Sequence, residues 1–257
     1  MTIRILVPVK RVVDPNVRVR VGAAGAIETG GLKMSLNPFD ECALEKALQL
    51  KEAGVASHVT ALTCGLPPYQ DVLRTALAMG ADDAVLIDTG AATTSLDSLA
   101  VARLVAAHMG EVEYGLVLCG KQAIDGDVGG MAAMLAALLG WPQALNASAL
   151  DAIDGGWRVD CGDDAATATW HLDGRAVVSA DLRLAEPRRV TLPSIVKAKQ
   201  KPLAILEASS FGGVSDACSR VLKLDDPPVR APGVKVGGVQ ALLDALAGQR
   251  IFETVGV

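Results

Sequence analysis

Residues 114–134 read YGLVLCGKQAIDGDVGGMAAM. A run of strand length (114–119) passes through a loop with glycines at 120, 126, 129 and 130 into an Ala/Leu-rich segment of helical spacing (129–139). The same succession occurs three times upstream. IRILVPV (3–9), HVTALTC (58–64) and DAVLID (83–88) have strand character, and helical segments follow them at 38–53, 67–80 and 95–109. Four β-α units in series predict parallel strands in one sheet with helices on both faces.

The expected fold is therefore α/β: a mostly parallel, Rossmann-like sheet with helices on both faces, followed by a β-rich segment and an extended C-terminal arm. The insert KRVVDPNVRVRVGAAGAIETGGLKMSL (10–36) separates the first strand from the first helix, and its VRVRV alternation predicts a small hairpin flap. After Trp141 the pattern changes. LDAIDGGWRVDC (150–161) predicts a hairpin around DGG, and TATWHL (167–172) and AVVSADL (176–182) predict further strands. LKLDDPPVRAPGVKVGG (222–238) is rich in Pro and Gly without a core pattern, and helical spacing returns only at VQALLDALAG (239–248). The division expected is an α/β domain over 1–220 and an arm with a short helix over 221–257.

Composition sets the remaining bounds. In a chain of 257 residues, 51% hydrophobic but only 3% aromatic, the apolar content is largely Ala, Val and Leu, which suits helices packed closely on a buried sheet. No apolar run approaches the roughly 18 residues of a bilayer span, and MTIRILVPVK leads directly into a strand, so direct membrane insertion is not expected and a cytoplasmic location is. Five cysteines without a C-x-x-C pair indicate neither a disulfide framework nor a metal site. His58, His108 and His171 are isolated, with His108 placed to favour a helix dipole, and Asp82-Asp83 and Asp163-Asp164 read as solvated charges. No catalytic constellation emerges, and hydrolysis is not expected.

Ligands of open α/β sheets sit beyond the carboxyl ends of the strands. Three junctions there favour a mononucleotide. NPFD (37–40) offers Asn37 as an N-cap and Pro38 as a first helical residue; TCGLPP offers a small opening at Cys64 and Gly65. The 120–134 loop could surround a phosphate with amides while Asp125 or Asp127 contacts ribose. It is neither a Walker A loop nor G-x-G-x-x-G. Elsewhere, ADLRLAEPRRVTLPSIVKAKQKP (180–202) carries six Arg/Lys against two Asp/Glu in a chain of net charge −5. The ribbon lacks aromatics for base stacking and the whole chain is acidic, which argues against nucleic acid. A free-standing nucleotide-binding regulator would account for the first 140 residues but not for the rest.

PVKRVVD, MSLNPFDECALEKALQLKE, TALAMGADDAVLI, LVLCGKQAIDGD, LLGWPQALNAS, VVSADLRLAEPRRVTLPSIVKAK and DDPPVRAPGVKV occur in that order. Together they resemble the β subunit of electron transfer flavoprotein. The resemblance implies a heterodimer with an α subunit that holds most of the FAD. Such a dimer accepts electrons from acyl-CoA or related dehydrogenases, as in fatty acid β-oxidation, and passes them to an electron transfer flavoprotein-quinone oxidoreductase. It also implies a structural AMP on this subunit. The positions carried over are Pro8, Asn37, Pro38, Phe39, Asp40, Cys64, and the loop Ala123, Ile124, Asp125, Gly126, Asp127, Val128, Gly129, Gly130, Met131 and Met134.

Two departures qualify the match. Where the family continues Asp-x-Asn-Gln-Thr-Gly-Gln-Met, Asp127 and Val128 are here followed by Gly129, Gly130, Met131, Ala132, Ala133 and Met134, so side-chain donors for a phosphate are lost and contacts fall to amides and the helix end. Pro15 stands where many members have a flavin-facing Tyr. Bifurcating relatives carry a second FAD in place of AMP, and the altered loop is compatible with that alternative. The TLP-x-I-x-KAK block belongs to the ordinary type. In that block the resemblance maps Leu192 onto the recognition-loop leucine that anchors in a dehydrogenase pocket. Pro193, Ile195, Arg188, Arg189, Lys197 and Lys199 complete the expected docking set. Segment 187–199 is expected to be an apolar bend with Ile195 and Val196 packed beneath it.

Overall fold

Leu6 and Val7 are consecutive on the first strand and both are fully buried, which only a strand covered on both faces allows. This computed structural model describes residues 2–22, 25–90, 96–162, 166–214, 217–218, 221–226 and 228–247. The chain runs β1 (Ile3–Pro8), β2 (Arg11–Val13), β3 (Met34–Leu36), α1 (Pro38–Glu52), β4 (Ala56–Gly65), α2 (Gln70–Met79), β5 (Asp83–Asp88), α3 (Ser98–Met109), β6 (Leu116–Gly120) and α4 (Met131–Leu139). It continues through β7 (Gln143–Ile153), β8 (Gly156–Gly162), β9 (Thr167–Asp173), β10 (Ala176–Ala180), α5 (Leu192–Ala198), β11 (Leu203–Glu207) and α6 (Val239–Ala247).

One nine-stranded sheet has the order β11-β5-β4-β1-β6-β10-β7-β8-β9. Its first seven strands are mutually parallel; β8 and β9 extend it antiparallel. Helices α1 and α2 pack on one face, burying Ile5, Val7, Val59 and Ala61 with Leu44, Leu48, Leu73 and Leu77. Helices α3 and α4 cover the other, burying Leu6, Leu62, Val117 and Cys119 with Leu104, Val105 and Leu135. The small side chains counted in the composition are what let these helices lie close.

The expected α/β architecture is present, with helix ends a few residues tighter than the apolar spacing suggested. The hairpin around DGG is also present, with Gly155 at φ 76° in its turn. Four expectations change. The flap is stemmed by β2 and β3, and the VRVRV stretch contributes only an isolated bridge between Val21 and Ile27. With no layer to pack on, Val19 stays 43% exposed. Strand β10 does not extend the β-rich edge but inserts between β6 and β7. Residues 203–207, which drew no strand assignment, form β11 at the opposite edge beside β5. Segment 187–199 is not a bend: Thr191 caps α5 in a reciprocal capping box with Ser194, and Pro193 sits in the first turn, where its missing N–H costs nothing.

The polar residues read as idle are also engaged. Asp82 pairs with Lys51 and accepts from the Val59 N–H (2.8 Å), and Asp83 faces His58 and Arg4. His108 is 4% exposed with Nε2 3.3 Å from Tyr114 Oη, and burial holds its pKa below the usual histidine value. It is therefore a neutral core group rather than a cation at a helix end. Asp163 and Asp164 lie outside the described residues. All five cysteines are free, four of them buried. The arm residues described between 221 and 238 form no helix or strand, and Val229 and Val234 are at least 90% exposed.

Candidate functional site

Strand order reverses at β1: β4 and β5 lie on one side, β6 on the other. A crevice opens at such a switch point beyond the carboxyl ends. Strands β1 and β6 pair only at Ile5–Leu116 and Leu6–Val117. Beyond that, Asp40 in the first turn of α1 bridges them. Its Oδ2 accepts from the Lys10 N–H (2.8 Å) and its Oδ1 from the Gly120 N–H (3.1 Å). Gly120 is required by this approach, because a Cβ there would lie 2.1 Å from Asp40 Oδ1 and 2.9 Å from the α1 backbone. Burial pushes the Asp40 pKa up to about 7, against the downward pull of its hydrogen bonds.

Asn37 occupies the N-cap position, but its side chain does not cap the helix. Instead Nδ2 donates to Gln122 O (2.8 Å) and Oδ1 accepts from the Ile124 N–H (3.2 Å). The residue predicted as a helix cap is thus the staple that fixes the glycine loop to the strand ends. Past the staple the loop turns back: Gly126 and Asp127 N–H groups donate to Ala123 O, and Asp127 (φ 50°) and Gly129 (φ 64°) are left-handed. Asp125 is held by Lys10 Nζ (2.7 Å) and Asp127 by Gln122 Nε2 (2.9 Å). The backbone N–H groups of Val128, Gly129, Gly130 and Met131 donate to no group of the described chain. They open the way into α4, where a helix start favours an anion.

The structure therefore brings Pro8, Asn37–Asp40 and residues 123–131 to one crevice. Pro8, Asn37 and Asp40 are buried, Pro38, Phe39, Ala123, Ile124, Gly130 and Met131 half-buried, and Asp125 to Gly129 exposed. Cys64 lies one strand over, at the end of β4, with burial pushing its thiol up to about 12, so it is a wall and not a nucleophile. Met134 is 38% exposed on α4. The reading by residue type missed Lys10; it singled out the loop that holds Gly120 and Gln122 but not the contacts these two make with Asp40, Asn37 and Asp127.

The basic ribbon leaves β10 and crosses the outer surfaces of α1 and α2 toward β11. Arg188 is not a free docking charge as expected. Its guanidinium forks onto Glu45 (Nε–Oε2 2.7 Å, Nη2–Oε1 2.9 Å) and reaches Glu52 (Nη1–Oε1 2.7 Å). Arg183 pairs with Asp181, and Lys201 Nζ donates to the Leu77 and Ala81 carbonyls. The side chains of Arg189, Lys197 and Lys199 have no hydrogen-bond or ion-pair partner among the described residues. Leu192 is 80% exposed, and Pro193 is exposed beside it. Ile195 (42%) and Val196 (61%) face outward rather than packing beneath; Ala198, at 2%, is the residue that meets α2. A seven-residue helix of about two turns offers a single inward face, and Ala198 is its one buried residue.

No cluster of three or more His, Cys, Asp or Glu suited to a metal occurs among the described residues, and no described helix is long and apolar enough to cross a membrane. Comparison with known proteins gives a consistent result. A family model described as an electron transfer flavoprotein domain matches residues 24–210. The electron transfer flavoprotein subunit beta of Bradyrhizobium diazoefficiens is 44% identical over 247 residues, covering 96% of this chain and 98% of that protein. The Bos taurus subunit beta is 41% identical, covering 95% and 96%, and the protein of Arabidopsis thaliana named as the mitochondrial subunit beta is 41% identical, covering 96% and 98%.

Proposed function

Because the chain belongs to the electron transfer flavoprotein family as a β subunit, we propose that it forms a heterodimer with an α subunit and carries electrons from acyl-CoA-type dehydrogenases to a quinone oxidoreductase. FAD, held mainly by the α subunit, supplies the electron-accepting chemistry when bound. This chain contributes a nucleotide-filled support and a docking surface, and no group of its own reacts. Pro15 lies exposed on the flap in a turn braced by Asp14, whose Oδ1 accepts from the Asn16 N–H (2.9 Å). That end of the flap offers the flavin no aromatic ring. The arm over 221–257, with Leu222 83% exposed, is assigned to the α subunit's flavin domain, and the heterodimer to the cytoplasm.

The observation that carries the docking role is Leu192, bare on a short helix whose neighbours include three unpaired cations. Charges raise the encounter rate while a small apolar contact leaves dissociation fast, which a shuttling carrier needs. In the coexpressed heterodimer, Leu192→Ala should raise the KM of a dehydrogenase for the carrier by roughly tenfold, as expected for a hot-spot side chain, with the flavin spectrum unchanged. Full electron transfer at limiting carrier concentration would remove the docking role.

AMP is assigned to the crevice. The free amides of Val128 to Met131 would hold its phosphate, and Asp125 the ribose. Asn37 fixes the loop rather than touching the ligand. The same loop supports a second reading, a second FAD as in bifurcating relatives, because residues 125–129 are exposed and do not close the crevice. Nucleotide analysis of the purified heterodimer separates one FAD plus AMP from two FAD. Asp125→Ala should lower the adenine nucleotide content in either case.

A further inference from the structure

From Arg189 to Lys197 no residue is buried, so the presumed contact surface has no core of its own. A seven-residue helix is too short to hold itself. It is held by its ends. On the α1 side, Arg188 uses all three guanidinium nitrogens on Glu45 and Glu52, and its own backbone N–H also donates to Glu45 Oε2 (3.2 Å). On the α2 side, Arg74 Nη1 donates to Ala198 O (2.9 Å) and Lys201 O (3.2 Å), while Lys201 Nζ donates back to the Leu77 and Ala81 carbonyls.

We infer that Glu45 and Arg188 are positioning residues: they order segment 189–199 before any partner arrives, so that Leu192 is presented in one place. The inference rests on the docking reading above. All three guanidinium nitrogens of Arg188 already donate within the chain, which separates it from Arg189, Lys197 and Lys199, whose side chains have no partner among the described residues. Glu45 is 4% exposed. A carboxylate placed so deep gains little net stability from its ion pair compared with an apolar residue of similar size, so what the pair supplies is geometry. The fork is planar and bidentate, a match that lysine cannot reproduce. Ordering a flexible loop on binding weakens affinity, and a loop already ordered avoids that loss.

The test uses the coexpressed heterodimer carrying Arg188→Lys or Glu45→Gln, with Leu192→Ala as the comparator. Trypsin nicking after Arg189, Lys197 and Lys199 reports the order of the segment. An acyl-CoA dehydrogenase that reduces the wild-type heterodimer reports KM and kcat for the carrier. The two clamp variants are expected to be nicked roughly tenfold faster at a temperature where the dimer is folded. Their KM should rise about fivefold with kcat and flavin spectrum unchanged. Leu192→Ala should raise KM without faster nicking. Wild-type nicking, or faster nicking with wild-type KM, overturns the positioning role while the Leu192→Ala effect keeps the docking reading intact. A wild-type KM in Leu192→Ala removes the docking reading and this inference together. Should Glu45→Gln fail to assemble, Glu52→Gln removes one bond at a carboxylate 60% exposed and is read by the same two measurements.

Discussion

Helix α1 holds two pieces of the chain in different ways. At its first turn, Asn37 and Asp40 grip backbone N–H and C=O groups of the glycine loop and strand ends, and both side chains are buried. About two and four turns later, Glu45 and Glu52 grip one arginine, and everything that arginine supports stays in solvent. The first arrangement closes a crevice suited to a ligand that stays. The second fixes the base of a surface whose working residues are left bare, suited to a partner that leaves. Rigidity is common to both; burial is what differs.

The strongest way to break the first arrangement is Gly120→Ala. Its Cβ would overlap Asp40 Oδ1 and press on the α1 backbone, neither of which can move without unpairing the strand ends. A loss of about 3 kcal/mol in stability is expected, with loss of bound nucleotide. Urea denaturation and nucleotide analysis check it, and the rate of nicking in the ribbon should not change. If both sites fail together, α1 is one rigid lever and the comparison collapses.

Asn37→Ala is milder. It removes two hydrogen bonds and strands Gln122 O and the Ile124 N–H, costing about 2 kcal/mol. Nucleotide content should fall, while the KM for a dehydrogenase stays at the wild-type value. A raised KM would show that the nucleotide loop and the docking ribbon are coupled.

These residues also mark how far the sequence could be read. The periodicity of 3–9, 58–64, 83–88 and 114–119 gave the parallel strands, and the glycine loop and NPFD could be placed at strand ends, because strand ends and helix starts are local events. What Asn37 and Arg188 do was not local. Asp40 meets Gly120 across 80 residues and Arg188 meets Glu45 across 143. Only the strand order makes them neighbours. For the same reason the insertion of β10 and the return of β11 to the far edge were invisible: LAILE (203–207) is too short to declare its partner. Residue type suggested that Asn37 caps a helix and that Arg188 waits for a partner. Tertiary neighbours had already claimed both side chains.

A pH experiment sharpens the buried side of the comparison. Asp40 has its pKa raised to about 7 by burial, above the unfolded carboxylate value near 3.8. A raised folded pKa means the native state binds more protons between those values. The stability that Asp40 contributes is then present below about pH 4 and lost as pH rises through 7. His108, depressed by burial, slopes oppositely: its contribution is present above its unfolded value and lost as pH falls below it. Comparing Asp40→Asn with wild type cancels the histidine. The stability difference should move in favour of the variant by roughly 2–3 kcal/mol between pH 5 and pH 8. A constant difference would mean that the bonds from Lys10 and Gly120 keep Asp40 ionised throughout.

The smallest effect belongs to the exposed side. Val196, at 61% exposure, has left its apolar surface in water, so Val196→Ser removes no buried contact. Stability should stay within about 0.5 kcal/mol of wild type. The α5 helix should persist, because its capping box lies at Thr191 and Ser194 and its end clamps lie outside the substitution. The denaturation midpoint of the heterodimer decides this. A clear loss would mean that Val196 is covered when the two subunits meet, and the surface assigned to a transient dehydrogenase would belong to the permanent partner. An unchanged midpoint with a KM raised by less than in Leu192→Ala leaves the residue at the rim of the docking contact, where side chains exclude water around an anchor without contributing much themselves.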